Sequence, residues 1–199
     1  VRYKGYPWSI AEYVKFAGSY RWSWYATMDF CCEPQVAHDR AEVLRRVDLT
    51  ASQLQLVRDE AKAQGVSMPM PVLQGWKPDD YRRCADQIEA TEGLMGVGSV
   101  CRRAVTGPDG IVSIMEALDR HLPKAVTLHL FGVKSDAVSV LMNWPRVVSV
   151  DSMAWDFAAR RDAHKRGISC SIPHRQAHMR LWFKAQRVQR RPVQLELAA

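Results

Sequence analysis

Two aspartates each lie at the end of a run of residues with β-strand character. Asp151 follows the β-branched run 147–150, VVSV, and Asp29 lies near the end of the run 24–30, WYATMDF. A run that is apolar on both faces is typical of a strand buried in a parallel sheet, and α/β enzymes hold catalytic groups at the C-terminal ends of such strands. The alternative for Asp151 is an N-cap of the helix predicted over 155–165.

The strands predicted between these aspartates also end in polar side chains or in glycine-rich backbone, namely at Gln74, at 96–99 and at Gly132. Two carboxylates, an amide and backbone N–H groups on one rim suit a flat heterocycle with donors and acceptors on its edge, such as guanine. One carboxylate could attack a sugar carbon, as in glycosyl transfer through a covalent intermediate. Spacing alone does not distinguish this chemistry from that of other barrel enzymes.

Five predicted strands alternate with helices, which indicates an α/β fold with a parallel sheet and right-handed crossovers. The strands are predicted over 24–30, 69–76, 93–100, 125–133 and 146–152. A closed (β/α) barrel has eight strands. The sequence therefore predicts either an open doubly wound sheet or a TIM-type barrel that lacks its first strands in this chain.

The helix boundaries follow from capping residues and glycines. Ser9 is expected to cap a helix that ends at Gly18, and Ser135 to cap a helix over 136–144. Thr50 to Gln53 matches a capping box, which would separate a helix over 38–47 from a second helix that stops at Gly65. Further helices are predicted over 79–90, 111–121 and 155–165.

The composition indicates a folded, cytoplasmic protein. Hydrophobic residues make up 47% of the 199 residues, and no apolar run reaches the roughly 20 residues of a membrane helix. We see no signal peptide, and we expect no membrane association. The five cysteines lack the spacing of a disulfide framework, which favours a reducing compartment.

Positive charge is concentrated at the C-terminal end. The net charge is +7, and from Phe157 onward ten Lys and Arg residues accompany only two acidic residues. We therefore divide the chain into a barrel portion, 1–167, and a basic helical tail, 168–199. In the helix predicted over 173–191, cations recur at helical spacing, which suits contact with phosphates; the alternative is a solvated surface face. The candidate nucleic-acid contacts are Arg102, Arg103, Arg160, Arg161, Lys165, Arg166, Arg180, Lys184 and Arg187.

Five segments, taken in order, resemble the tRNA-guanine transglycosylase superfamily. They are MDFCCEP (28–34), VLQGW (72–76), GVGSVCRR (96–103), LHLFGVK (128–134) and SVDSMAW (149–155). The sequence is most similar to the DpdA-like branch of bacteria and phages, which inserts 7-deazaguanines into DNA. The resemblance implies a TIM-type barrel that exchanges guanine for a free 7-deazaguanine such as preQ0, and it suggests a role in phage or bacterial defence.

The resemblance also implies roles for individual residues. Asp151 matches the nucleophile that attacks C1′, and Asp29 matches the aspartate that reads the base. Gln74 matches a glutamine that contacts the base, and Gly98, followed by Ser99, matches a glycine whose N–H meets the base carbonyl. The family's Asp-Ser-Gly-Gly loop has no match here and would lie just before Val1. The Arg-Ser-Gly-Arg run that follows the nucleophile in the tRNA enzymes is also absent.

The tRNA enzymes carry a zinc site of three cysteines and a histidine. Only Cys170, His174 and His178 remain here, at a spacing that could hold zinc with a fourth ligand. We favour the simpler interpretation, a pair of surface histidines beside a buried cysteine, and expect no required cofactor.

Three functional hypotheses follow from the sequence. The first is a base-exchange enzyme acting on DNA, or the C-terminal part of one, with tRNA as the alternative polymer. A homodimer and a protein partner are open alternatives for its assembly. The second is a catalytically silent nucleic-acid-binding subunit of the same superfamily. The third is an unrelated barrel enzyme acting on a small phosphorylated substrate.

Overall fold

A parallel sheet forms the centre of the molecule. A computed structural model describes residues 6–101 and 103–189. Four strands pair in the order β1-β2-β3-β4, and all the pairs are parallel. The strands are β1 (Val72–Leu73), β2 (Gly93–Val97), β3 (Val126–Leu130) and β4 (Val147–Val150). This order follows the chain without reversal, whereas a doubly wound sheet reverses its strand order.

Eight helices accompany the sheet in the described part of the chain. They are α1 (Ile10–Gly18), α2 (Pro34–Ala37), α3 (Arg40–Gln64), α4 (Pro78–Gln87), α5 (Ile111–His121), α6 (Ser135–Leu141), α7 (Ala154–Arg166) and α8 (Ile172–Gln189). The βα alternation predicted from the sequence is confirmed, and α5 has the predicted bounds. A closed barrel is not confirmed, because the described residues form an open sheet of four strands.

The first predicted strand, 24–30, is reduced to one parallel bridge between Ala26 and Met70. Around this bridge, Met70 N donates to Tyr25 O at 2.7 Å and Thr27 N donates to Met70 O at 2.9 Å. Beyond Thr27, three backbone N–H groups, those of Asp29, Phe30 and Cys32, donate to side chains from elsewhere in the molecule. A strand ends where its N–H groups find partners outside the sheet. The strand predicted over 24–30 was therefore placed correctly but predicted too long.

The helix caps follow the sequence at some positions and depart from it at others. Ser9 forms the expected capping box with Glu12, and Gly65 ends α3 in the left-handed conformation, with φ of 66°. The predicted break at Thr50 was wrong, because α3 continues through it and Thr50 Oγ1 donates to Arg46 O within the helix. Ser135 is the first residue of α6, and Lys134 occupies the N-cap position.

One face of the sheet is buried beneath the helices. Alternate residues of β2 and β3, such as Met95 and Leu128, join a single core with residues of α3, α4, α5 and α6. Successive side chains on a strand point to opposite faces, so Gly96 and His129 lie on the other face. There the Trp24 ring contacts the His129 ring, with the ring centroids 4.8 Å apart. Three strand spacings, about 14 Å in a flat sheet, separate these segments. This face is therefore concave.

The C-terminal helix α8 packs against α7 and α6. Trp182 Nε1 donates to Ser135 Oγ at 2.8 Å, and the Trp182 ring borders the main core. None of the helices in the described ranges is long and apolar enough to cross a membrane.

Candidate active site at the carboxyl ends of the strands

A buried chain of hydrogen bonds follows β1 and β2 at their carboxyl ends. Gln74, which comes directly after β1, is 1% exposed. Its Nε2 donates to Asp29 Oδ2, and its Oε1 accepts from Ser99 Oγ at 2.5 Å. Ser99 Oγ in turn accepts from Cys32 N at 2.6 Å. The chain thus joins three of the predicted base-binding residues and fixes the orientation of the Gln74 amide.

The Asp29 carboxyl is partly buried and lies beside Gln74 and Tyr6. Tyr6 Oη donates to the Asp29 carbonyl at 2.5 Å and accepts from Asp29 N at 2.7 Å. Burial raises the pKa of Asp29, and the hydrogen bonds from Gln74 and Tyr6 only partly oppose this rise. Burial, together with the nearby Asp29 charge, also raises the pKa of Tyr6. Asp29 therefore takes up a proton more readily than an ordinary aspartate.

Gly98 leaves room for the Gln74 side chain, and its own backbone N–H is already hydrogen-bonded. Its N–H donates to Leu73 O at 2.9 Å, and its carbonyl accepts from Tyr81 Oη at 2.9 Å. The predicted contact between the Gly98 N–H and a base carbonyl is therefore not available in this structure. A Cβ at this position would lie 2.1 Å from Gln74 Nε2, so only glycine allows the Gln74 amide to lie here.

The Asp151 carboxylate stands directly after β4 and is 51% exposed. Its Oδ1 accepts from Gly132 N at 2.6 Å, and its Oδ2 lies 3.4 Å from His129 Nε2. His129 Nδ1 is 2.8 Å from Ser149 Oγ, which fixes the imidazole orientation. Met153 holds the N-cap position of α7, so the helix-cap interpretation of Asp151 was wrong.

His129 is the site residue that the sequence analysis missed. A polar residue inside the apolar run LHL (128–130) was the available signal, since alternation places it on the face opposite Leu128 and Leu130. It is 4% exposed, and its ring contacts the rings of Trp24 and Phe131 at steep angles. The two carboxylates thus lie on one edge of the sheet, with the concave face of β2 and β3 between them.

A family model described as DpdA, DeoxyPurine in DNA protein A, matches residues 4–193. The chain belongs to the DpdA family. No curated protein matches the sequence. The family description connects the chain with deoxypurine modification in DNA, which agrees with the expected resemblance.

Exposed cationic side chains are candidate DNA contacts in a DpdA-family protein. Arg103 is not one of them, because its side chain is buried. Arg103 is 3% exposed, and its guanidinium donates to backbone carbonyls, among them Ser99 O at 2.9 Å and Asp109 O at 2.8 Å. It also stacks on Trp76 at 3.6 Å. We therefore correct the sequence-based assignment, since Arg103 fixes the loop after β2. Arg102 lies outside the described residues.

The other candidate cations of this DpdA-family protein lie on exposed positions of α7 and α8. They are Arg160, Arg161, Lys165 and Arg166 on α7, and Arg180 and Lys184 on α8. Arg160 and Arg175 both bind the buried Asp156 carboxylate, which joins α7 to α8. The side chain of Arg187 falls outside the described part.

The three residues considered for zinc are not grouped as expected. His174 and His178 lie together, but the third residue beside them is Asp162 of α7, and Cys170 is not part of the group in the described ranges. Both histidines are partly buried and Cys170 is partly exposed, so the picture of surface histidines beside a buried cysteine was wrong.

Proposed function

We propose that this DpdA-family protein is a transglycosylase that exchanges guanine in DNA for a free 7-deazaguanine such as preQ0. One observation carries the proposal. A half-exposed Asp151 carboxylate, held by the Gly132 N–H, shares an edge of the sheet with the buried Asp29–Gln74–Ser99 chain. A reactive carboxylate and a polar surface for a base edge are the two parts that base exchange needs.

The proposed reaction uses the two carboxylates differently. An Asp151 oxygen forms a bond to C1′ of the deoxyguanosine, the C1′–N9 bond breaks, and guanine leaves with the electron pair and takes up a proton. N9 of the incoming deazaguanine then attacks C1′, loses its proton and displaces the carboxylate. Two inversions at C1′ retain the configuration, as in glycoside hydrolases that work through a covalent intermediate.

Gly132 and His129 support the nucleophilic role of Asp151. A short bond from the Gly132 N–H fixes the orientation of the carboxylate. His129 Nε2 lies beside the other oxygen, and its partner Ser149 holds the ring in place. Asp29 retains lone pairs beyond those used by Gln74 and Tyr6, so it can accept N–H donors from a guanine edge.

Labelled preQ0 incorporation into duplex DNA tests the proposal, with tRNA as the second substrate. We expect Asp151→Asn and Asp151→Ala to lower exchange by at least ~10³-fold while leaving DNA affinity nearly unchanged. The matched control is Asp136→Asn, which changes an exposed aspartate in the first turn of α6. Without free base, the wild-type protein should form a denaturant-resistant adduct with DNA that both Asp151 variants lack.

Three outcomes would contradict the proposal. Unchanged incorporation by Asp151→Ala would remove this residue as the nucleophile. Incorporation into tRNA alone would exclude DNA as the polymer. DNA binding without exchange by the wild-type protein would support the silent-subunit hypothesis.

The cations on α7 and α8 provide a separate test of DNA binding. We expect Arg161→Ala combined with Lys165→Ala to weaken DNA binding. The slope of log affinity against log salt should become shallower by about 0.9 for each phosphate that the variant no longer neutralises. Lys62→Ala, an exposed change on α3, is the control.

A further inference from the structure

Two histidines on α8 and one aspartate on α7 converge on a small volume between the two helices. His174 and His178 are four residues apart and therefore lie on one face of α8. The Nε2 atom of each lies 3.5 Å from the same oxygen, Asp162 Oδ2. The imidazole centroids are 4.8 Å apart, and the three candidate ligand atoms all lie within 4.8 Å of one another.

We propose that Asp162, His174 and His178 bind one divalent transition-metal ion, with zinc as the best match, and that the ion ties α8 to α7. Ligands at zinc bond lengths around a tetrahedron lie about 3.3 Å apart. Both N···O distances of 3.5 Å are close to that value, and the ligand atoms of the two histidines lie within 4.8 Å of each other, so movement of the two rings within this range would close the site. Two imidazole nitrogens and a carboxylate are ligands that zinc accepts, and they leave one position for water.

The site is held together by contacts that do not involve the ligands. The buried Asp156 carboxylate binds Arg160 of α7 and Arg175 of α8 one to two turns away. This ion-pair cluster fixes how the two helices pack before any ion is bound. A preformed site needs little rearrangement to bind its ion.

Two existing contacts would compete with the ion. His174 Nε2 lies 3.0 Å from Ala159 O, and Arg166 Nη1 donates to Asp162 Oδ2 at 3.2 Å. The Arg166 side chain is 59% exposed, so its guanidinium can move into solvent. Removal of this positive charge should therefore strengthen metal binding.

Titration of the metal-free full chain with zinc chloride, followed by calorimetry, tests the proposal. We expect one equivalent to bind, and His178→Ala or Asp162→Ala to weaken binding by at least ~10-fold. Arg166→Ala should bind more tightly than wild type. The controls are His164→Ala, an exposed histidine on α7, and Cys170→Ser, and both should bind as wild type does.

Two further measurements separate loss of a ligand from loss of the fold. Excess zinc should raise the melting temperature of wild type and of the controls but not of His178→Ala, whose helical circular dichroism without metal should match wild type. Cobalt(II), bound in place of zinc, should give an absorption spectrum without a thiolate charge-transfer band. Equal zinc affinity in wild type and His178→Ala, loss of binding in Cys170→Ser, or a thiolate band would overturn the proposal. DNA exchange enters none of these readouts.

Discussion

The two aspartates at the edge of the sheet have opposite surroundings. Asp29 is enclosed, bonded to Gln74 and Tyr6, and its pKa is raised by burial. Asp151 is half-exposed and is held by one backbone N–H and a neighbouring histidine. The same residue type thus occurs at one edge of the sheet in a partly buried, hydrogen-bonded form and in an accessible form. In the proposed function, the first reads the base and the second attacks the sugar carbon.

The residues around each carboxylate decide how it can be used. Gln74 donates to the Asp29 carboxylate, Ser99 holds the Gln74 amide, and Gly98 leaves room for that amide. His129 and Ser149 leave Asp151 open to solvent on one side. We therefore expect changes to the partners of Asp29 to lower both the free energy of unfolding and exchange, and changes to the partners of Asp151 to lower mainly the rate of exchange.

Asp29→Asn should lower base exchange while it raises the free energy of unfolding relative to wild type at higher pH. Loss of the carboxylate should lower exchange by ~10²–10⁴-fold, because the N–H donors on the base edge would then face an amide N–H₂ group in place of an acceptor. A raised pKa in the folded state means that charged Asp29 destabilises the fold as the pH rises through that pKa. The variant should thus gain unfolding free energy relative to wild type as the pH increases.

Chemical denaturation at several pH values, together with the exchange assay, measures both effects. The stability difference between Asp29→Asn and wild type should vanish at low pH, where Asp29 is protonated in both the folded and unfolded states. A difference that shrinks as the pH increases would contradict the raised pKa.

Gln74→Leu should break the buried chain. The Asp29 carboxyl and the Ser99 hydroxyl would lose their shared partner, which should lower the free energy of unfolding by about 3 kcal/mol and exchange by about 100-fold. Urea denaturation gives the first value and labelled incorporation the second. Gln55→Leu, at an exposed position on α3, should leave both unchanged.

Gly98→Ala should disturb the same chain of hydrogen bonds through a steric clash. The added Cβ meets Gln74 Nε2, so we expect a loss of about 1–3 kcal/mol. In the double variant with Gln74→Ala the clash disappears, so the two losses should not add. Additive losses in a double-mutant cycle would show that the effect of Gly98→Ala does not arise from its contact with Gln74.

His129→Phe should leave the fold intact and reduce the rate. Phenylalanine keeps the ring contact with Trp24 but removes the nitrogen beside Asp151, so we expect kcat to fall about tenfold with little change in stability. An unfolding free energy equal to that of wild type, measured beside the lower kcat, would exclude a purely structural role. Ser149→Ala, which keeps the nitrogen and removes its orienting partner, should have a smaller effect.

The sequence predicted the features that depend on local pattern. Alternating apolar strands and helices, the Ser9 cap and the Gly65 stop follow from side-chain periodicity and backbone preference, and they appear as expected. Asp29, Gln74 and Ser99 were named together, and they do contact one another.

Features that depend on distant partners were not predictable. Thr50 reads locally as a helix start, yet α3 continues because buried residues on both sides of Thr50, such as Val47 and Leu54, pack into the same core. Arg103 reads as a surface cation, yet three backbone carbonyls in the loops after β1 and β2 take up its N–H groups. Asp162 joined the two histidines only because α7 and α8 pack side by side.

The segment after the Ala26 bridge has a consequence for folding order. Its N–H groups are bound by Tyr6, Thr50 and Ser99, which lie on three separate parts of the chain. Closing a loop between distant residues requires entropy to be lost before the contact forms. We therefore expect the Asp29 carboxyl to take its place late in folding, after α3 and the segment that follows β2 have formed.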